Sequence, residues 1–90
     1  MKIARRFVVS GRVQGVGFRW FTQDAAQREG ANGWVRNLPD GRVEALIEGD
    51  SESFTRVERA IRSGPRGARV EQVDVDDQEV GGYRSFTIER

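Results

Sequence analysis

Phe7-Val8-Val9-Ser10-Gly11-Arg12-Val13-Gln14-Gly15-Val16-Gly17-Phe18-Arg19-Trp20-Phe21 changes its period halfway along. Phe7, Val9, Gly11 and Val13 alternate with Arg6, Val8, Ser10 and Arg12, the period-two pattern of a half-buried strand. From Phe18 to Glu29 the apolar residues Phe18, Phe21, Ala25 and Ala26 fall at helical spacing, with Gln23, Asp24, Gln27 and Arg28 outward. Gly30 is a natural stop, because it enters the left-handed region without a Cβ clash. Gln14-Gly15-Val16-Gly17 is therefore a glycine-rich connection from a strand into a helix.

Working outward, Trp34, Val35 and Leu38 predict a second strand. Pro39-Asp40-Gly41 is a turn, since Pro presets φ and Gly accepts φ > 0. Val43, Ala45 and Ile47 alternate against Arg42, Glu44, Leu46 and Glu48, so strands two and three form a hairpin. Asp50 or Ser51 caps a second helix with the stripe Phe54, Val57 and Ile61, which ends at Ser63-Gly64-Pro65-Arg66-Gly67. Val70, Val73 and Val75 predict a fourth strand, although their spacing does not strictly alternate. After the Gly81-Gly82 turn, Phe86 and Ile88 mark a short last strand. The order βαββαβ, with right-handed crossovers, predicts an α+β ferredoxin-like sandwich: an antiparallel sheet, two helices on one face, and a short C-terminal strand. That fold hosts many functions and selects none.

Composition removes whole classes of chemistry. Ninety residues predict a single domain spanning 1–90. The chain has no cysteine and no histidine. That excludes a thiolate nucleophile, a zinc–sulfur site, an imidazole acid or base and a Ser-His-Asp triad. The net charge of +1, from 15 basic and 14 acidic residues, argues against a general nucleic-acid binder. No apolar run approaches the roughly 18–20 residues that span a bilayer. Met1-Lys2-Ile3-Ala4-Arg5-Arg6 leads directly into the strand pattern, so a cytoplasmic location without membrane contact is expected.

The glycine-rich connection is the segment equipped for binding. Gly15 and Gly17 let successive backbone N–H groups turn toward one point, and the following helix adds its unpaired amides and positive dipole end. Together they make an anion site sized for phosphate or sulfate. Arg19, at the start of the helix, can pair with the same anion. The segment is not a nucleotide P-loop, because no Gly-Lys-Ser/Thr closes it, and Gly11, Gly15 and Gly17 lack dinucleotide-fingerprint spacing. A tight structural connection with Arg19 in solvent is the competing reading.

Val9-Ser10-Gly11-Arg12-Val13-Gln14-Gly15-Val16-Gly17-Phe18-Arg19 resembles the signature of the acylphosphatase family. Gly33-Trp34-Val35-Arg36-Asn37-Leu38-Pro39-Asp40-Gly41-Arg42-Val43-Glu44 resembles its second signature, and Phe86-Thr87-Ile88-Glu89-Arg90 fits its last strand. The resemblance spans essentially the whole chain, in order. It implies a small hydrolase that cleaves the carboxyl–phosphate bond of acyl phosphates, with no metal or other cofactor. It assigns the substrate phosphate to Arg19 and to the amides of Gln14, Gly15, Val16, Gly17 and Phe18, and the attacking water to Asn37. A small-molecule acyl phosphate is the partner so implied, phosphate or sulfate can occupy the loop, and a monomer is expected.

A physical reading of the residues agrees with what the resemblance implies. In a split βαβ unit the first two strands run parallel with a third between them, so the loop after Val13 and Asn37 should lie about 10 Å apart at one end of the sheet. An acyl phosphate releases a carboxylate whose conjugate acid has a pKa of roughly 4, so protonation of the leaving group matters little at neutral pH. The missing His and Cys therefore exclude many phosphatases but not an acyl phosphate hydrolase of the kind the resemblance implies.

Other features have plainer readings. Asp74, Asp76, Asp77 and Glu79 match no EF-hand spacing and read as a solvated strand end. Arg5, Arg6, Arg12 and Arg36 read as ordinary surface charge rather than an anion-steering edge, and Trp20 and Trp34 as packing or partly exposed aromatics. Ser10 and Thr22 flank the loop and could buttress it, but neither has a base partner. Two rival functions use the same fold. An RNA-binding sheet would need exposed aromatics on its central strands, for which Phe7 is a candidate. A regulatory domain fused to a larger enzyme is the other.

Overall fold

The computed structural model describes all 90 residues, Met1–Arg90. Strand β1 (Lys2–Arg12) leads through the glycine loop into helix α1 (Phe18–Arg28). Strands β2 (Asn32–Asn37) and β3 (Val43–Asp50) form the hairpin, helix α2 (Ser51–Ser63) follows, and β4 (Arg69–Gln78) and β5 (Phe86–Glu89) complete the chain. The sheet order is β4-β1-β3-β2-β5. Neighbours are antiparallel except β5, which pairs in parallel with β2, Val35 opposite Ile88. The sheet is thus the expected antiparallel ferredoxin-like one with a parallel edge added. The chain leaves β4 at one edge, crosses the sheet, and enters β5 at the other edge running with β2.

One face of the sheet makes the core. Phe7, Val9, Val35, Val43, Ala45 and Ile47 pack against Phe18 and Ala26 of α1 and Phe54, Val57 and Ile61 of α2. Phe7 and Phe54 stack with ring centroids 5.7 Å apart. Phe7 is fully buried, so it offers no surface on which a base could stack. On α1 the buried stripe is Phe18, Thr22 and Ala26 rather than Phe21 and Ala25. Thr22 can be buried because its hydroxyl donates to the Phe18 carbonyl at 2.9 Å within the same helix. Gly30, with φ 68°, ends α1 as expected. Asp50 takes the N-cap position of α2 without a side-chain cap bond.

The uneven spacing of Val70, Val73 and Val75 has a structural cause. The β1–β4 register shifts between Ser10 and Gly11, so Glu71 is an extra residue in a β-bulge and the alternation changes phase there. A Cβ on Gly11 would lie 2.1 Å from the Arg69 carbonyl oxygen, so the bulge admits only glycine.

The opposite face is not simply solvated. Glu44 and Glu48, which alternate with the core-facing residues of β3, are both buried there. Glu48 accepts from the backbone N–H of Gly81 at 2.7 Å and of Tyr83 at 2.6 Å, which fastens the β4–β5 crossing to the sheet. Glu44 accepts from the guanidinium groups of Arg6 and Arg36. On the helix side Arg5 pairs with Glu58 of α2 and Asp77, while on the open face Arg6 also reaches Asp76, so part of the acidic cluster on β4 balances arginines of β1. No helix is long and apolar enough to cross a membrane.

Candidate active site

The loop from Val13 to Gly17 turns on two left-handed residues, Gly15 with φ 75° and Gly17 with φ 77°. Val16 between them keeps a negative φ. Alternating the sign of φ in this way swings successive amides to one side of the backbone, the arrangement that cradles anions. A Cβ on either glycine would meet nothing within 4 Å, so backbone conformation and not crowding calls for glycine here.

Gly17 is also the N-cap of α1. It supplies no side-chain cap, and the first turn of the helix holds no acidic residue. The positive end of the helix is therefore left uncompensated and its first amides are open to a ligand. In α2, by contrast, Glu52 stands in the first turn.

A clamp fixes this loop to the β2–β3 turn. The side-chain amide of Gln14 donates to the carbonyls of Leu38 at 2.8 Å and Arg42 at 3.0 Å. The turn is stiff in itself. Leu38 donates to the Arg42 carbonyl at 2.8 Å, and Asp40 accepts from the Arg42 amide at 3.1 Å and its guanidinium at 2.7 Å. The amide bond from Arg42, assisted by the guanidinium, holds the Asp40 carboxyl below the usual carboxylate range. The residue that precedes Leu38 is Asn37, the last of β2, so the clamp sets Asn37 relative to the glycine loop.

Gly15, Gly17, Phe18, Arg19, Trp20, Asn37 and Ile88 line a single half-open cleft of about 180 Å³. Arg19 and Asn37, both half-buried, thus border one space together with the glycines of the loop. β3 lies between β1 and β2, as expected, and the ends of β1 and β2 reach the same side of the sheet. The side chains of Gln14 and Val16 are directed elsewhere, Gln14 to the clamp and Val16 toward the core, so what these two residues can offer an anion is their backbone amides. Arg5, Arg6 and Arg36 are all engaged with carboxylates, whereas Arg19 has no carboxylate within ion-pair distance. The cleft is therefore cationic, donor-rich and free of competing carboxylates. It suits a tetrahedral oxyanion with a water beside it.

Two lining residues, Trp20 and Ile88, were not assigned to the site by the sequence reading, which gave Trp20 as a packing or partly exposed aromatic and Ile88 as part of the last strand. Trp20 follows Arg19 and falls out of phase with the buried Phe18-Thr22-Ala26 stripe, which is the signal that places it outward. Ile88 reads as core by alternation. It is exposed because β5 is an edge strand, which the alternation does not reveal.

The family model and the full-length relatives agree. The family model described as Acylphosphatase matches residues 5–88. A protein from Acaryochloris marina named acylphosphatase is 48% identical over 88 residues, covering 98% of this chain and 95% of that one. A second, from Pseudomonas paraeruginosa and of the same name, is 48% identical over 89 residues, covering 99% of this chain and 98% of that one. The crystal structure of acylphosphatase from Bacillus subtilis superposes with a TM-score of 0.95 at 37% identity, covering 98% of this chain and 99% of that one.

Proposed function

The chain belongs to the acylphosphatase family, and from that membership we propose how its residues hydrolyse the carboxyl–phosphate bond of acyl phosphates. One observation carries the proposal: the glycine loop, Arg19 and Asn37 border the same cleft. The substrate phosphate sits in the loop, where the amides from Gln14 to Phe18 and the Arg19 guanidinium share its oxygens. Asn37 holds the attacking water by hydrogen bonding.

The oxygen of that water attacks phosphorus as the bond from phosphorus to the acyl oxygen breaks. The electron pair of the broken bond leaves with the carboxylate. The proton shed by the water passes to an oxygen of the substrate's own phosphate, because the neutral amide of Asn37 cannot take it. The products are a carboxylate and inorganic phosphate. Positioning and charge stabilisation dominate phosphoryl transfer, so a site with a guanidinium and amides but no general acid or general base at the reacting atoms suffices. No step calls for a metal or other cofactor.

Residues 1–90 act in this reading as one catalytic domain, monomeric and cytoplasmic. The deciding experiment is hydrolysis of acetyl phosphate by the purified protein in EDTA. Release of inorganic phosphate is expected at an undiminished rate, and chelator-sensitive turnover would overturn the mechanism. A crystal grown in sulfate should show the ion in the bend between β1 and α1, touching Arg19.

A further inference from the structure

We propose that Trp20 and Ile88 form the subsite for the acyl group, and that they make the enzyme prefer longer apolar acyl chains to acetyl and to charged ones. The proposal rests on the cleft being the place where acyl phosphates are hydrolysed. It goes further by assigning the half of the substrate that the phosphate loop leaves unread.

The five large apolar residues with substantial exposure are Met1, Trp20, Val80, Tyr83 and Ile88. Trp20 and Ile88 come from distant parts of the chain, α1 and β5, yet they line the same cleft. Trp20 is 67% exposed and Ile88 37%, so neither is held by the core. Phe18, the third apolar lining residue, is 2% exposed and faces inward, which leaves it little surface for a ligand. A substrate whose phosphate lies among the amides and Arg19 projects its acyl carbons toward the open side of the cleft. The apolar surface available there belongs to Trp20 and Ile88.

The charge pattern narrows the class. The lining holds one cation, Arg19, which the phosphate occupies, and no carboxylate. A charged group on the acyl chain would find no partner and would lose hydration against the indole. An alkyl chain would instead remove apolar surface from water on both sides, and each methylene buried is worth up to about fourfold in affinity. The indole is rigid and broad, so it loses little entropy when covered.

Acetyl and butyryl phosphate test this well. Their leaving carboxylates are of similar basicity, so a difference in kcat/KM reports contact with the chain. Wild-type enzyme should favour butyryl phosphate by about tenfold, mostly through KM, since two methylenes are added. Trp20→Ala should reduce that preference to within about twofold, Trp20→Phe should restore most of it, and Ile88→Thr should weaken it. Val80→Ala, remote from the cleft, should leave it unchanged. Wild-type preference below twofold, or equal loss of both activities in Trp20→Ala, would overturn the subsite while leaving the hydrolase reading intact. Failure of the wild type to hydrolyse either substrate would overturn the reaction, and the subsite with it.

Discussion

The open face of the sheet and the cleft at the start of α1 treat charge in opposite ways. On the sheet, Glu44 is held between Arg6 and Arg36, Arg36 lies over the Trp34 ring at 5.1 Å, and Glu48 is saturated by two backbone amides. In the cleft, Arg19 has no acidic neighbour to pair with, Asn37 makes no side-chain hydrogen bond, and the α1 terminus has neither a side-chain cap nor an acidic residue. Polar groups that secure the fold find their partners inside the protein. Those in the cleft are held in place by their backbones and by the Gln14 clamp, with their bonding capacity left for a ligand.

That contrast predicts a clean separation of activity from stability. The largest effect belongs to Arg19→Ala. Acetyl phosphate hydrolysis should fall by on the order of 10³-fold or more, with phosphate binding lost, because the main cation of the site is gone. The melting temperature should stay within a degree or two, and a large drop would place Arg19 among the structural charges instead.

Asn37→Ala comes next. It should lower kcat by on the order of 10²-fold while inorganic phosphate still binds, as expected for loss of a water-positioning group. Isothermal titration with phosphate, run beside steady-state kinetics, checks both halves. Full turnover in this variant would remove the water from Asn37.

Glu44→Gln tests the other side of the contrast. It should cost about 1–3 kcal/mol of stability, read from urea denaturation, because a buried acceptor of charged hydrogen bonds is weakened. Glu44 shares its hydrogen bonds and ion pairs with Arg6 and Arg36 and with no cleft residue, so kcat should be unaffected. Burial opposes ionisation of Glu44, but hydrogen bonds from Arg36 and Arg6, with their charges, outweigh it and lower its pKa below the ordinary value of 4.5. A carboxyl whose pKa is lower folded than unfolded contributes fully above the unfolded value, and that contribution disappears as pH falls through the folded one. Stability should therefore drop with acidification below pH 4.5, more steeply in the wild type than in Glu44→Gln.

The smallest effect is expected from Gly15→Ala. Its φ of 75° strains any side chain, at a cost of about 1–2 kcal/mol, though space around it is open. The test is whether the strain relaxes by turning the loop amides away. In that case the KM for acetyl phosphate rises severalfold with little change in kcat, whereas a loop that serves only as a connection would lose stability alone.

The amino-acid sequence by itself determined what is local. Periodicity, Gly30, Pro39-Asp40-Gly41 and the glycines at 15 and 17 set the elements, the hairpin and the loop conformation, because each depends on φ, ψ and side-chain spacing within a few residues. The same locality put Arg19 beside the loop. Tertiary structure decided everything that depends on a distant partner: the bulge opposite Gly11, the burial of Glu44 and Glu48, the parallel docking of β5, the grip of Gln14 on Leu38 and Arg42, and the meeting of Trp20 with Ile88. Alternation along a strand says which residues share a face. Which groups cover that face depends on strand order and register, and those emerge only when the whole sheet is assembled.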